Sequence, residues 1–326
     1  MATVVGNPGI ALVTVRTIRL DTDTAEAPVD VAATATVGAE QLTLHDAPRA
    51  RLASYRLSDG ALAWTIELRG TARLPSPPNA LSWSTDTLTV ADVNPAGGVW
   101  RVSRFGAVLD SVIPHTDLPI TGVRRLGLGW VVSTTEVDDA LAAGTARLLR
   151  ALDRSGRVMA AACEPESTYV ASARRRGMIS IFRSFQVATA EDRVYCLQPL
   201  GSRVQVFDAR LASVGTIALP PHAPAADPRQ SMDVASIQHF RTGLVEWLAM
   251  FPAGEHLWVL GATYDSLAAR DRYLAVRCAL ASTAGCDTFR SDLRVIGVRG
   301  DSLVGIGRDE RSARWVAALL LPPRAP

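Results

Sequence analysis

The densest positive charge in the chain is the run Arg174-Arg175-Arg176. Arginine forks bind carboxylate and phosphate oxygens through two parallel hydrogen bonds, so this run predicts an anion-binding site. The alternative is a solvated loop in which these arginines pair with Glu164 and Glu166. Both interpretations stay open at the level of the sequence.

Two further connecting segments combine imidazoles with carboxylates, the pairing that general acid and base catalysis uses near neutral pH. One contains His115 and Asp117, and the other contains His222 and Asp227. The longer one, 220–243, is rich in proline and is a candidate lid, although such a stretch is equally typical of a passive surface loop. With Arg174–Arg176 as the anion grip, these groups would suit a hydrolase or lyase that acts on a small anionic substrate. The candidate acid and base residues are His115, Asp117, His222 and Asp227, and the further ligand-binding candidates are Arg229 and His239.

Several chemistries have no support in the sequence. The five histidines are scattered, and there is no His-x-His, His-Glu-x-x-His or Cys-x-x-Cys spacing. We therefore expect no metal and no cofactor. All 34 basic residues are arginine, as in products of GC-rich genomes, which excludes Schiff-base and P-loop lysines. A Gly-x-Ser-x-Gly nucleophile elbow is also missing.

Length and composition describe a packed globular protein. The 326 residues are 48% hydrophobic and 20% charged, and the net charge is +2. So small a charge gives no field for nucleic acid, and we expect no nucleic-acid partner. No run approaches the ~18 apolar residues of a membrane-spanning helix, so no spanning segment is expected.

The four cysteines bear on the compartment. Cys278 and Cys286 flank a predicted hairpin turn, so they face each other across it and are expected to form a disulfide. Cys163 and Cys196 remain as a second pair. This pattern favours export to the periplasm or the cell exterior, with an export signal outside this sequence. A cytosolic protein with four buried free thiols is the alternative.

The elements that must position these groups are short β-type runs separated by turn residues. The runs recur with a period of ~50 residues as units of four antiparallel strands, the last two joined by turns such as Ser58-Asp59-Gly60. Because one twisted sheet cannot bury both of its faces, such units stack around an axis as blades. The predicted blades are 29–68, 80–114, 122–164, 180–219, 244–291 and 293–321 within one domain, 1–326.

The last blade decides how the ring closes. Residues 293–321 supply three strands of this blade. Segment 10–20, which belongs to no other predicted blade, supplies the fourth. Pairing the two ends of the chain removes an exposed sheet edge. We therefore predict an all-β, six-bladed propeller of four-stranded antiparallel blades, closed by its N-terminal strand. A seven-bladed ring that splits the fifth unit and two separate β-sandwiches are the alternatives.

The segments Tyr55–Gly60, Leu149–Gly156 and Val206–Arg210 resemble the third strand and turn of NHL-repeat or TolB-like six-bladed propellers. The resemblance spans nearly the whole chain and implies an architecture, with ligands bound at one mouth of the central channel. It does not imply an activity, because this group includes binding scaffolds, sensor domains and a few enzymes.

We therefore expect a non-catalytic scaffold that binds a protein, a peptide or a small anionic ligand. The hydrolase or lyase described above is one alternative, and a structural subunit of a larger assembly is another. The sequence carries no signal for an oligomeric state.

Overall fold

The structure is a computed structural model, and the elements whose bounds lie within the described residues are 25 β-strands. Val, Ile, Thr and aromatic side chains suit the half-buried surface of a sheet, and they fill these strands. The residues described are 10–21, 35–46, 49–68, 78–92, 98–116, 118–135, 140, 143–166, 185–220, 245–265, 270–280, 285–309 and 315–323.

The chain begins with two N-terminal strands and then forms blades one to three, each of which runs from its innermost to its outermost strand. The N-terminal strands are β1 (Ile10–Ala11) and β2 (Val13–Arg19). Blade one contains β3 (Ala35–Val37), β4 (Gln41–Asp46), β5 (Arg51–Arg56) and β6 (Leu62–Glu67). Blade two contains β7 (Pro78–Ser84), β8 (Thr87–Asp92), β9 (Val99–Ser103) and β10 (Val108–Val112). Blade three contains β11 (Ile120–Leu126), β12 (Gly129–Thr134), β13 (Leu149–Leu152) and β14 (Val158–Ala162).

Blades four to six continue the same pattern. Blade four contains β15 (Gln186–Ala190), β16 (Arg193–Leu197), β17 (Arg203–Asp208) and β18 (Ser213–Ala218). Blade five contains β19 (Glu246–Ala253), β20 (His256–Asp265), β21 (Arg270–Ala279) and β22 (Asp287–Ser291). Blade six contains β23 (Arg294–Arg299), β24 (Ser302–Arg308) and β25 (Trp315–Leu321), with β2 as its outermost strand.

The ring has six blades, as predicted. Each innermost strand contacts the innermost strand of the next blade, and β23 contacts β3 to complete the circle. The fifth unit is long because β20 and β21 have 10 residues each, yet it forms a single sheet. The seven-bladed and two-sandwich alternatives are therefore wrong. We call the space that the six innermost strands enclose the central channel.

The N-terminal segment closes the ring, with one difference from the prediction. Strand β2 pairs antiparallel with β25, and Ile18 lies opposite Ala317. The first two residues of the segment, Ile10 and Ala11, instead pair in parallel with β22 of blade five. The chain therefore crosses from the edge of one blade to the edge of the next before it completes blade six.

Apolar packing lies between the blades, in six clusters that each join two neighbours. The second and third strands of a blade are covered on both faces, and Leu42, Leu52 and Leu88 on such strands have no exposed surface. Burial of each such side chain contributes about 1.5–3 kcal/mol. The outermost strands are mostly exposed, as in β6.

Both predicted disulfides are formed. Cys278 and Cys286 lie across the β21–β22 hairpin with Cα atoms 4.3 Å apart, the spacing of a non-hydrogen-bonded pair. Cys163 and Cys196 join blade three to blade four, with a sequence separation of 33. A loop of this length predicts about 3–4 kcal/mol of stabilisation by restriction of the unfolded chain.

Candidate functional site

Six equivalent positions line the ring at one level. In each blade a tight turn joins the first two strands. The position considered is on the innermost strand, two residues before the last residue that pairs across that turn, as Arg124 is two residues before Leu126. Five of these positions carry no charge. The six residues are Thr36, Ser82, Arg124, Ala188, Phe251 and Gly297, each with a partner at the same register on its second strand.

Arg124 is the one charged residue at this level. Its position on β11 is fixed by the pairing of Arg124 with Val131 of β12. Its neighbours on the same face point toward blade four: Leu126 packs in the cluster between blades three and four, and a Cβ on Gly122 would lie 3.1 Å from Val187. Arg124 therefore extends from the innermost strand toward blade four.

The guanidinium of Arg124 has few protein partners. Its Nη1 donates to the carbonyl oxygen of Val123 at 2.8 Å, which uses one of five N–H donors. Within the described part of the chain Arg124 makes no ion pair. The residue keeps intermediate solvent exposure although its guanidinium lies deep in the molecule, as expected for a group that lines a channel.

Burial lowers the pKa of Arg124 to about 10. The group is still protonated at neutral pH, so a desolvated positive charge lies on the innermost strand of blade three. Several other arginines of the ring pair with nearby carboxylates. Such pairs are Arg56–Asp59 at 2.7 Å, Arg147–Glu164 at 3.0 Å and Arg277–Asp287 at 2.6 Å.

The adjacent arginine has a different environment. Arg125 points to the other face of β11, where its guanidinium lies 5.1 Å from the ring centre of Trp130. Burial and then repulsion from Arg101 and Arg154 lower its pKa, and the attraction of Asp110 opposes them. Arg125 thus belongs to a charged cluster between blades two and three that already contains a carboxylate.

A buried polar cluster fixes the chain where it leaves blade three for blade four. Glu166 is buried, and its Oε2 accepts hydrogen bonds from the backbone N–H and the hydroxyl of Ser202, both at 3.1 Å. The side-chain amide of Gln198 accepts from the Glu166 backbone N–H at 2.9 Å and donates to the Glu164 carbonyl at 3.1 Å. These bonds tie residues 164–166 to the turn between the second and third strands of blade four.

The same turn is tied to blade five. Trp247 is buried, and its indole N–H donates to the Gly201 carbonyl at 2.8 Å. Its backbone N–H donates to the Pro199 carbonyl at 2.7 Å. Together with the Cys163–Cys196 disulfide, these contacts join blade four firmly to both of its neighbours.

Most of the predicted site residues lie outside the described residues. This applies to Asp117, Arg174, Arg175, Arg176, His222, Asp227, Arg229 and His239.

His115 is described, and it lies where the chain leaves the outer strand of blade two. Its side chain is exposed, and its backbone N–H donates to the carbonyl of Gly156 in blade three at 2.8 Å. This contact places it against the outer turn of the next blade.

Arg124 was not among the predicted site residues. The signal available was a pair of adjacent arginines, Arg124-Arg125, inside an otherwise apolar strand. Only the pairing register of the first hairpin shows that one of them is equivalent to small or uncharged residues in every other blade.

Among the described residues, no three His, Cys, Asp or Glu side chains are grouped as ligands of a metal ion. The described residues also include no helix long and apolar enough to span a bilayer.

The chain matches no protein-family model and no curated protein, but it is similar to solved structures. One is a member of the DUF4221 family from Bacteroides vulgatus, with a TM-score of 0.64 and 9% identity over 98% of this chain and 100% of the other. A second, from Bacteroides fragilis, is named as a candidate exported protein, with a TM-score of 0.61 and 10% identity over 97% and 98% of the two chains. A third, from Bacteroides caccae, has no known function; its TM-score is 0.50 with 10% identity over 79% and 81%. At these identities the similarity concerns the fold alone.

Proposed function

We propose that this protein is a non-catalytic binding scaffold, which holds a protein, a peptide or a small anionic ligand at the end of the ring beside blade four. The observation that carries this proposal is the fixed base from which the segment containing Arg174–Arg176 departs. The last described residues before it, 163–166, are held by a disulfide and by the Glu166 cluster.

A fixed base favours binding because less of the surface must be ordered when a partner arrives. The two longest intervals between consecutive described strands, 163–185 and 219–245, both adjoin blade four. They contain the predicted ligand-binding residues Arg174–Arg176, Arg229 and His239. Long loops on a rigid scaffold are where binding sites concentrate.

The narrower assignment to NHL-repeat or TolB-like propellers is part of this proposal. It is supported by the turns between the third and fourth strands, which recur with the same bonds. Asp153 Oδ1 accepts from the Ser155 and Arg157 N–H groups, and Asp208 Oδ1 accepts from those of Arg210 and Ala212. Ser103 Oγ takes the equivalent place in blade two.

Export to the periplasm or the cell exterior is also proposed. Its support is the pair of disulfides, since such bonds persist in oxidising compartments. The similar Bacteroides fragilis structure, named as a candidate exported protein, is consistent with it.

The test compares two triple variants that each lose three positive charges. R174Q/R175Q/R176Q alters the proposed site. R104Q/R154Q/R210Q removes three exposed arginines from turns between third and fourth strands, at the opposite end of the blades. Binding of citrate and of a poly-glutamate peptide is measured by calorimetry at about 0.15 M salt, where distant charges are screened.

We expect the first variant to weaken binding about tenfold or more and the control to stay within about twofold of the wild type. Equal loss in both variants would indicate non-specific charge attraction and contradict the proposed site. Mass spectrometry of citrate after incubation separates the classes of function. Recovery of unchanged citrate agrees with a scaffold, whereas its conversion would support a hydrolase or lyase.

A further inference from the structure

We propose that the central channel contains a second anion site, built on Arg124, which binds the carboxylate of a small monocarboxylic acid. This inference rests on the proposed binding function, and it locates a ligand at residues that the proposal above does not use. It begins from the placement of Arg124 on the innermost strand, among five uncharged equivalents.

Toward the described residues, Arg124 has unused hydrogen-bonding capacity. A guanidinium has five donors, and here one of them binds the Val123 carbonyl at 2.8 Å. A planar carboxylate accepts two parallel N–H bonds from such a fork. One positive charge in this layer matches one carboxylate, whereas a phosphate dianion would leave a negative charge without a partner.

Keeping this charge in the folded protein costs stability. A desolvated ion without a counter-ion destabilises a folded protein, and replacing it with a neutral side chain is often neutral or stabilising. Arg124 carries this cost, because burial shifts its pKa downward and none of the described carboxylates opposes the shift. Binding sites commonly contain such groups, because function can require a side chain that lowers the stability of the free protein.

The remaining positions of the layer add no charge. Thr36, Ser82 and Ala188 are buried, and Phe251 and Gly297 are uncharged. The single guanidinium therefore sets the ligand class, a small acid with one carboxylate.

The adjacent arginine provides a matched control. Arg125 is on the same strand, but it faces blade two and lies near Asp110 and Trp130. R124Q and R125Q each remove one guanidinium from β11. Propionate is the probe, and propionamide, which has the same shape without the charge, is the control ligand.

On the wild-type protein, we expect propionate to raise the melting temperature in a saturable way, with no effect of propionamide or of chloride at equal ionic strength. R124Q should weaken propionate binding about tenfold or more, and R125Q should stay within about twofold of the wild type. Without ligand, R124Q should melt at or above the wild-type temperature.

Three results would overturn the inference. These are the absence of a propionate-specific shift in the wild type, equal weakening in R124Q and R125Q, and a lower melting temperature of ligand-free R124Q. A larger shift with inorganic phosphate than with propionate would also overturn the carboxylate assignment. Failure of R124Q to fold would count as such a lower melting temperature, whereas the wild-type measurement tests propionate binding without any variant.

These outcomes are separable from those of the proposed function. If propionate does not bind but citrate binds through Arg174–Arg176, the scaffold stands and the channel site fails. If propionate binds through Arg124 and is chemically converted, the channel site stands and the non-catalytic assignment fails.

Discussion

His45 is a buried imidazole on β4 that faces the interface between blades one and two. It has 6% of its surface exposed, and burial lowers its pKa below the ordinary value of 6.5, although the neighbouring Asp46 carboxylate opposes the shift. The folded protein therefore holds His45 neutral at a pH where the unfolded chain would protonate it.

This difference predicts a pH dependence of stability. Because the folded state binds the proton less readily than the unfolded chain, the contribution of His45 is complete above pH ~6.5 and declines as the pH falls below it. The free energy of unfolding, measured with denaturant between about pH 7.5 and 5.5, should decrease toward the acidic end. H45Q should flatten this slope.

The exposed His115 supplies the control, because H115Q removes one imidazole without disturbing a core. If H45Q keeps the full slope of the wild type, the pH dependence has another origin.

Residue-scale roles were the hardest to predict from sequence. The sequence shows that His45 and Arg124 exist, but their burial depends on which face of a strand meets the next blade. The predicted pairing of Cys278 with Cys286 succeeded because it depends only on symmetry about a local turn. The burial of the His45 imidazole and of the Arg124 charge instead depends on contacts between blades that are distant in sequence.

At the scale of the element, the turns between third and fourth strands fit closely against neighbouring blades. Gly60 has a φ of +80°, a conformation that glycine adopts without strain. Its carbonyl accepts a hydrogen bond from the Asp21 N–H at 2.8 Å, just beyond β2 of blade six. A Cβ at this position would lie 1.8 Å from the Arg19 carbonyl oxygen.

G60A should therefore destabilise the protein through two effects, the positive φ and the collision with blade six. Gly254 is the matched control, since it also has a positive φ of +55°, but a Cβ added there would meet no atom within 4 Å. We expect G254A to cost about 1–2 kcal/mol and G60A at least about 2 kcal/mol more in the free energy of unfolding. Equal losses would show that the backbone conformation alone matters.

The strands and turns were largely predictable because their signals are local. Aspartate, serine and glycine at strand ends predict turns in which a side chain bonds back to the backbone, and Asp59 Oδ1 does accept from the Ala61 N–H at 3.0 Å. The β-bulges were not predictable. One lies between the third and fourth strands of blade four, at Val206 and Phe207, and it arises from pairing register and sheet twist.

At the scale of the whole molecule, the two ends of the chain share one blade, and this closure could be predicted by counting strands. The last blade had three and the N-terminus had one without a partner. The pairing partner of Ile10 and Ala11 was not predictable. Their parallel pairing with β22 depends on the path that the chain takes between the edges of two blades.

Ring closure by β2 makes the N-terminal strand part of the global core. Ile18 is 3% exposed and packs with Leu42 of blade one and Ile296 of blade six. I18A should cost about 2–5 kcal/mol through lost burial and the cavity that remains. Val15 lies on the same strand but is 52% exposed, so V15A should change stability by about 0.5 kcal/mol or less.

The measurement is denaturant unfolding followed by both circular dichroism and tryptophan fluorescence. If β2 closes the ring cooperatively, the I18A midpoint falls by the same amount with both probes, because tryptophans in blades one, two, three, five and six report on the ring as a whole. A loss confined to one probe, or none beyond that of V15A, would mean that β2 detaches while the ring stays folded. That result would show that the pairing of β2 with β25 is not required for the global stability of the ring.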